Sequence, residues 1–410
     1  MGIMQTKIMA VLAILASFAW KDEAQTYDTN SEVVQTFAGS GFSGYLDGVG
    51  QLTMFNYPNS IVADSHSNLF VWDSNNSRIR KIAPDGTVST FAGGGSLSSL
   101  PATGTNAQIS GVTSLTIDHS DTLWASGNAG LWKITSGAVV TFTGLGYGTI
   151  GVCADSVGNI YFSTVGNQIF QYATNGVLRV FAGSGNRGYA DGNGIFTSFF
   201  SPGALAADAA NNIYVWDNYI YLIRKIDQSQ NVTTLAGKYQ NSSPSDGVGT
   251  NAAFTSVSQM CVDGSGNLIL ACGDSIRKMD VSLNVVTMAG NFSPQPGYAN
   301  GAGNSALFND ASGVCVSQGS IFVADTFNQR IRQISYNPQP QIVSGGNLGI
   351  GTFAGVTITG IVGRAYQIQS SPDMAVWTTR ATVLLTSSPY LWIDQNLTSG
   401  NKFYRALLLP

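Results

Sequence analysis

Short apolar runs recur along this chain, each four to six residues long and bounded by turn residues. In one unit Ser60-Ile61-Val62-Ala63-Asp64 is followed by Asn68-Leu69-Phe70-Val71-Trp72-Asp73, then by Ile79-Arg80-Lys81-Ile82, and Thr87 to Gly93 closes the set. Runs of this length, rich in β-branched and aromatic residues, predict strands rather than helices. The segments between them are apt for tight turns: Asp64-Ser-His-Ser-Asn68, Asp155-Ser-Val-Gly-Asn159 and Asp263-Gly-Ser-Gly-Asn267. Asp and Asn close such turns by accepting hydrogen bonds from the backbone that follows them.

One phrase repeats. It reads Thr36-Phe37-Ala38-Gly39, Thr90-Phe91-Ala92-Gly93, Thr141-Phe142-Thr143-Gly144, Val180-Phe181-Ala182-Gly183, Thr234-Leu235-Ala236-Gly237 and Thr287-Met288-Ala289-Gly290, at spacings of 54, 51, 39, 54 and 53 residues. Self-similarity at this period points to a propeller or a solenoid. Four antiparallel strands per unit make one propeller blade. Innermost strands are expected to start near Ser60, Thr113, Ile150, Ala204, Ser258 and Ser312, which gives six blades. The sixth has three strands, Gly313–Val316, Ser320–Asp325 and Ile331–Ile334, and then meets Asn337-Pro-Gln-Pro340. Val33–Ala38 is an outer strand without a blade of its own. It is therefore expected to close the ring as the missing strand, which removes the open edges. Thr352-Phe353-Ala354-Gly355 repeats the phrase but is rejected for this role, since it would leave Val33–Ala38 unpaired. The expected fold is all-β: a six-bladed β-propeller closed by the N-terminal strand, plus a small C-terminal β-sandwich. The expected domains are a signal peptide at 1–19, a linker at 20–32, the propeller at 33–336 and the C-terminal module at 337–410.

Composition narrows the function classes. Gly makes up 48 of 410 residues while only 10% are charged, which suits many tight turns, and 44% hydrophobic content excludes disorder. The net charge is −4, and the 19 Lys and Arg form no runs, so a nucleic-acid partner is not expected. Lys7 followed by the apolar Ile8–Phe18 reads as a secretory signal with cleavage after Ala19. The segment is too short to span a bilayer, and no other stretch suits a membrane span, so the protein is expected outside the cytoplasm or at the cell surface. Four cysteines, Cys153, Cys261, Cys272 and Cys315, lie in apolar strand patterns and are read as buried free thiols. A bridge between Cys261 and Cys272 is left open.

Asn68-Leu-Phe-Val-Trp-Asp73, Asn76-Ser-Arg78-Ile-Arg-Lys-Ile82 and Ser320-Ile-Phe-Val-Ala-Asp325-Thr-Phe-Asn-Gln-Arg330-Ile331 resemble NHL repeats. The loop Gly44-Tyr-Leu-Asp-Gly48 before Phe55 resembles those of bacterial extracytoplasmic NHL proteins. The resemblance covers roughly residues 33–335 and implies a ligand-binding platform, with enzymes a minority. Further on, Tyr366-Gln-Ile-Gln-Ser370, Asp373, Trp377 and Phe403-Tyr404-Arg405 resemble a small sandwich module at the C-termini of secreted proteins of Verrucomicrobia-type bacteria. There Trp377 and Trp392 are expected to fill the core rather than to stack on a sugar.

Catalytic chemistry finds little support. The only histidines are His66 and His119, so neither a His-based zinc site nor a His-dependent lyase is expected. Glu occurs only at Glu23 and Glu32. The alternative to a binding protein is a calcium- or magnesium-dependent hydrolase of the lactonase type, with Glu32 near the chain start and Asp or Asn in the central channel. No cofactor is expected, calcium is left open, and any ion is expected to be hard and oxygen-bound, calcium or magnesium. Asp47-Gly-Val-Gly50, Asp191-Gly-Asn-Gly194, Asp246-Gly-Val-Gly249 and Asn300-Gly-Ala-Gly303 recur in the same four units that carry Arg80, Arg224, Arg277 and Arg332. The separations are 33, 33, 31 and 32 residues, so each Arg is expected to tie down its own loop. The candidate binding face is built from these loops and from the second-to-third strand turns. It carries Tyr45, Asp47, Trp72, Asp73, Tyr189, Asp191, Trp216, Asp217, Asp246, Tyr298 and Asp325. A protein or carbohydrate ligand is expected there, while the residues leave the oligomeric state open.

Overall fold

The computed structural model describes residues 32–336 apart from 97–99, 129, 147 and 293–295, and residues 354–358, 364–372, 375–385, 390–394 and 403–409. The expected signal peptide and most of the linker lie outside the described residues.

Six antiparallel sheets follow one another along 32–336. The first runs from the inner Pro58–Ala63 through Leu69–Asp73 and Arg78–Ile82 to the outer Thr87–Gly93. The inner strands of the six sheets are Pro58–Ala63, Val112–Ile117, Thr149–Ala154, Pro202–Ala207, Gln259–Val262 and Ala311–Ser317. Each touches the next, and Ala311–Ser317 returns to Pro58–Ala63, so the ring closes. Glu32–Ala38 pairs antiparallel with Arg330–Tyr336, Val33 opposite Ser335 and Val34 opposite Ile334. The early strand thus completes the sixth sheet, as its unpaired position in the repeat required. Ala354–Ile358 instead pairs with Tyr390–Asp394, away from that sheet.

Burial follows position in the sheet. The second strand Leu69–Asp73 is buried at every position because neighbouring sheets cover both of its faces. The outer Thr87–Gly93 alternates over its first three positions. The repeated phrase now has a physical reason. Arg80 pairs with Thr90 and Ile79 with Ala92, so Phe91 is bulged out of the ladder. Phe37, Phe181, Leu235 and Met288 occupy the same bulge in their sheets. The following glycine is required by close approach: a Cβ on Gly93, at φ +90°, would lie 2.5 Å from the Ser77 carbonyl. In the second sheet Phe142 stays in register, opposite Trp132, and the bulge is absent.

Five of the six sheets gain a two-residue fifth strand outside the outer one, such as Gly48–Val49 against Val88 and Thr87. A single 3-10 turn follows, and in four of the five the glycine opening it takes left-handed φ, as at Gly50 with +55° and Gly194 with +52°. In the described C-terminal residues, Ala365–Ser371 lies between Thr378–Leu384 and Phe403–Leu408. This sheet and the Ala354–Ile358 pair share a core of Ile358, Tyr366, Ile368, Leu385, Tyr404 and Ala406. Trp392 packs against that core, ring to ring with Tyr404 at 6.2 Å, and Arg405 covers Trp377 at 4.3 Å. Arg364 Nη1 reaches Gln35 Oε1 at 2.5 Å and ties the two parts together.

Candidate functional site

The direction of the strands divides the ring into two faces. Inner-to-second and third-to-fourth turns lie on one face; second-to-third turns and the long loops lie on the other. The long-loop face is organised by four buried arginines. Arg80 Nη1 donates to Asp73 Oδ2 at 2.8 Å and to the Met54 carbonyl; its Nη2 donates to Asp47 Oδ1 at 2.6 Å and to the Leu46 carbonyl. Arg224 holds Asp191 at 2.6 Å together with the Ala190 and Ser198 carbonyls. Arg277 holds Asp246 at 2.9 Å with the Ser245 and Ala253 carbonyls. Arg332 holds Asn300, Asp325 and the Ala299 and Leu307 carbonyls. Each third-strand Arg therefore fixes its own loop, as the matched spacings implied. In the second and third sheets an aromatic stands in register at this place, Trp132 against Phe142 and Phe170 against Val180.

The sequence-predicted residues separate into two groups. Trp72 and Trp216 are buried in the hydrophobic clusters between neighbouring sheets. Asp73, Asp217 and Asp325 are fully buried. Each receives backbone N–H donors from the loop before its own inner strand: Asn56 to Asp73, Phe200 and Ser201 to Asp217, Asn309 to Asp325. Desolvation pushes all three carboxyls above their ordinary value, and the N–H donors and the Arg oppose that shift. These acids bind donors within their own sheet and do not face solvent.

Tyr45, Asp47, Tyr189, Asp191, Asp246 and Tyr298 keep part of their surface in solvent. Both oxygens of Asp47 are engaged, Oδ1 by Arg80 and Oδ2 by the Thr90 N–H; Asp191 and Asp246 repeat the pattern with Thr234 and Thr287. Tyr45 lies over Arg78 at 4.2 Å and Tyr298 over Arg330 at 3.9 Å. Tyr189 meets Tyr239 at 4.6 Å between centroids. The pair lines an open cleft of about 520 Å³ with Asp191, Thr234 and Lys238.

Other aromatics join this face that the repeat did not single out. Tyr57 and Phe327 meet edge to face at 5.3 Å, and Phe200 packs on Tyr219 at 5.8 Å. Phe42 and Tyr219 are 72% and 66% exposed. They lie in the long loops and second-to-third turns, where no strand alternation marks a side chain as outward. Position relative to the Arg-clamped loops was the usable signal.

The central channel is different in character. On the opposite face a cavity of about 260 Å³ is lined by apolar side chains such as Val62, Leu115, Leu205 and Met260, with Cys153, Cys261 and Cys315 among them. Gln259 crosses from the fifth sheet: its Oε1 accepts from Ser60 Oγ and the Ile61 N–H, and its Nε2 donates to the Ile61 carbonyl. A lone Gln on an inner strand was the overlooked clue. No carboxylate is among the lining residues, so they do not fit a hard divalent ion. Glu32 begins the outer strand of the sixth sheet, far from the channel wall. His66 and His119 lie in inner-to-second turns of neighbouring sheets, with His66 Nδ1 3.4 Å from Asp121. Cys261 and Cys272 are free thiols: Cys261 pairs with Ile269 and Cys272 with Ser275, so they sit at different heights on adjacent strands.

Comparison with known proteins agrees with this architecture. The NHL repeat family model matches residues 308–334. Arabidopsis thaliana Protein SUPPRESSOR OF QUENCHING 1, chloroplastic, is 27% identical over 317 residues, which span 73% of this chain and 27% of that protein. An auxiliary nutrient binding protein from Bacteroides thetaiotaomicron superposes with a TM-score of 0.60 at 19% identity, over 74% of this chain and 76% of that one. A putative phosphatase from the same organism gives 0.58 at 16% identity, over 74% and 78%. The names differ, and at such identities the likeness is one of fold: this chain is a β-propeller carrying an NHL repeat, with a further β domain.

Proposed function

We propose that this is a non-catalytic binding protein that works outside the cytoplasm and presents the long-loop face of a six-bladed NHL-type propeller to a carbohydrate ligand. One observation carries the reading: exposed aromatic rings gather on that face, while the channel beneath is lined mainly by apolar side chains and crossed by Gln259. Tyr and Phe rings held by Arg or by one another offer large contact area at little entropic cost. The cleft between Tyr189 and Tyr239 is the expected centre, with Asp191, Thr234 and Lys238 as hydrogen-bonding partners for hydroxyls. Concave sites of mainly apolar lining and few polar groups are the usual form of such sites.

The test is titration of a panel of soluble neutral oligosaccharides, followed by tryptophan and tyrosine fluorescence and by calorimetry. At least one member is expected to bind, with Tyr189→Ala and Tyr239→Ala each weakening it about tenfold, a loss near 1.4 kcal/mol. Binding unaffected by both substitutions would overturn the assignment. So would turnover of a panel member by the purified protein.

A further inference from the structure

The fifth sheet departs from its sisters at one place. In the first, fourth and sixth sheets the second strand ends in Asp73, Asp217 or Asp325, seven residues before the clamping Arg. In the fifth it ends in Cys272, five residues before Arg277. The 3-10 turn of the other three, such as Ser74–Asn76, is replaced there by Gly273-Asp274.

That replacement leaves donors without their acceptor. Asp73 and Asp325 each take Nη1 of their Arg at 2.8 and 2.6 Å, and they also accept the Asn56 and Asn309 N–H. The matching backbone in the fifth sheet is Thr255 and Ser256, which follow Phe254 as Asn56 follows Phe55. Among the described residues neither N–H donates a hydrogen bond. Arg277 Nη1 meets only the Ala253 carbonyl, although the side chain is fully buried. Burial pushes the Cys272 thiol up to about 12, so it stays neutral and does not replace the lost charge. Asp274 is turned aside and accepts the Asp310 N–H at 3.2 Å.

The vacated volume is open. A cavity of about 370 Å³ is lined by Thr255, Ser256, Cys272, Asp274, Arg277 and Phe292. Phe292 lies 5.2 Å from the Arg277 guanidinium and forms an apolar wall.

We propose that this cavity binds a small monocarboxylate, whose carboxylate takes the position that Asp73, Asp217 and Asp325 hold in the sister sheets. A guanidinium with one or two loop N–H groups already faces a carboxylate three times in this molecule, with one N–H at Asp73 and Asp325 and two at Asp217. Asp274 lines the site, and Asp246 pairs with its Arg277. These acids exclude a second negative charge and favour a ligand whose remaining polar groups are donors, a hydroxyl or an ammonium. The site depends on Arg277 and not on the Tyr189–Tyr239 cleft, so either can fail alone.

The experiment titrates the full protein with D-glucuronate, L-lactate and L-alanine, and with the neutral D-glucuronamide and L-lactamide, reading amide NMR shifts. The acids are expected to move the Thr255 and Ser256 N–H resonances, and the amides to bind at least about tenfold more weakly, since hydrogen bonds to a charged acceptor are stronger than those to a neutral one. Cys272→Asp is expected to supply the carboxylate internally and abolish binding while keeping the fold; Arg277→Met is expected to abolish it as well. Tighter binding of L-alanine than of L-lactate would assign the outer group to an ammonium facing Asp274, the reverse to a hydroxyl, and both uphold the site. Three results would overturn it: amides binding as well as acids, Cys272→Asp binding like the parent protein, or no shift at Thr255 and Ser256 with any acid at concentrations up to ~50 mM, where even a weak site of millimolar Kd is filled.

Discussion

The four clamping arginines each hold a long loop, but not in the same surroundings, and that inequality is measurable. Arg80→Met strands Asp73 in a buried site without its cation, and Arg224→Met does the same to Asp217. Breaking a buried pair from one side costs about 3–5 kcal/mol. Arg277→Met strands no buried acid, because Asp246 is half in solvent. Its cost is expected near 1–3 kcal/mol, the value for unsatisfied carbonyls. Urea unfolding of the three variants measures the difference, and equal losses would refute this division of roles. The arginines were legible in the sequence through their constant distance from the loops. The burial of Asp73 was not, because an Asp at a strand end reads as a turn cap until the neighbouring sheet is seen to cover it.

At the scale of the element, the outer strand of the sixth sheet is built from the early Glu32–Ala38, and Val34 is one of its fully buried members, with Glu32 and Ala38. Val34 packs with Ile269, Met288 and Ile334, so it joins the fifth and sixth sheets. Val34→Ala is expected to lower stability by about 2 kcal/mol through the cavity it leaves. Thr36→Val, at a half-buried position whose hydroxyl bonds to Tyr298 and Asn300, is expected to cost about 1 kcal/mol, the value of a hydrogen bond rather than of a cavity. Thermal or urea unfolding checks both. This element was legible because the repeat was one strand short at one end and one strand over at the other. The bulge inside the repeated Thr-Phe-Ala-Gly phrase was not legible: a bulged Phe91 and an in-register Phe142 look alike in sequence, and only the pairing distinguishes them.

For the molecule as a whole, six units could be counted because each carries the same strand pattern. Tyr45, Tyr189 and Tyr298 could be placed on the long loops from the repeat, but Phe42, Tyr57, Tyr219 and Tyr239 could not, since nothing in the sequence marks which further loop residues turn outward, and the channel lining depends on which inner-strand side chains face inward. The C-terminal sheets have a core of their own, separate from the clusters of the ring. A chain ending at Tyr336 loses the Arg364–Gln35 bond but none of the ring core. Its propeller is expected to unfold within about 0.5 kcal/mol of the parent, as for loss of a surface contact. Circular dichroism during denaturation checks this, and a truncated chain that fails to fold would show that the two parts depend on each other.

Closing the ring with Glu32–Ala38 also sets an order of events. The Ser335 hydroxyl bonds to the Val33 carbonyl across 302 residues of chain. Bringing such distant segments together costs about 4 kcal/mol more chain entropy than closing a five-residue hairpin. Most other strand pairs in the ring are hairpins that form locally and early. During synthesis the first strand leaves the ribosome long before its partner exists, and it waits unpaired while five sheets assemble. The last step of folding is then expected to be the arrival of the sixth sheet, and until that moment the nascent protein has a free edge at each end of an incomplete ring. Long-range pairing of this kind makes the final step the slow one, so the time spent open, rather than the stability of the finished ring, governs its exposure to self-association.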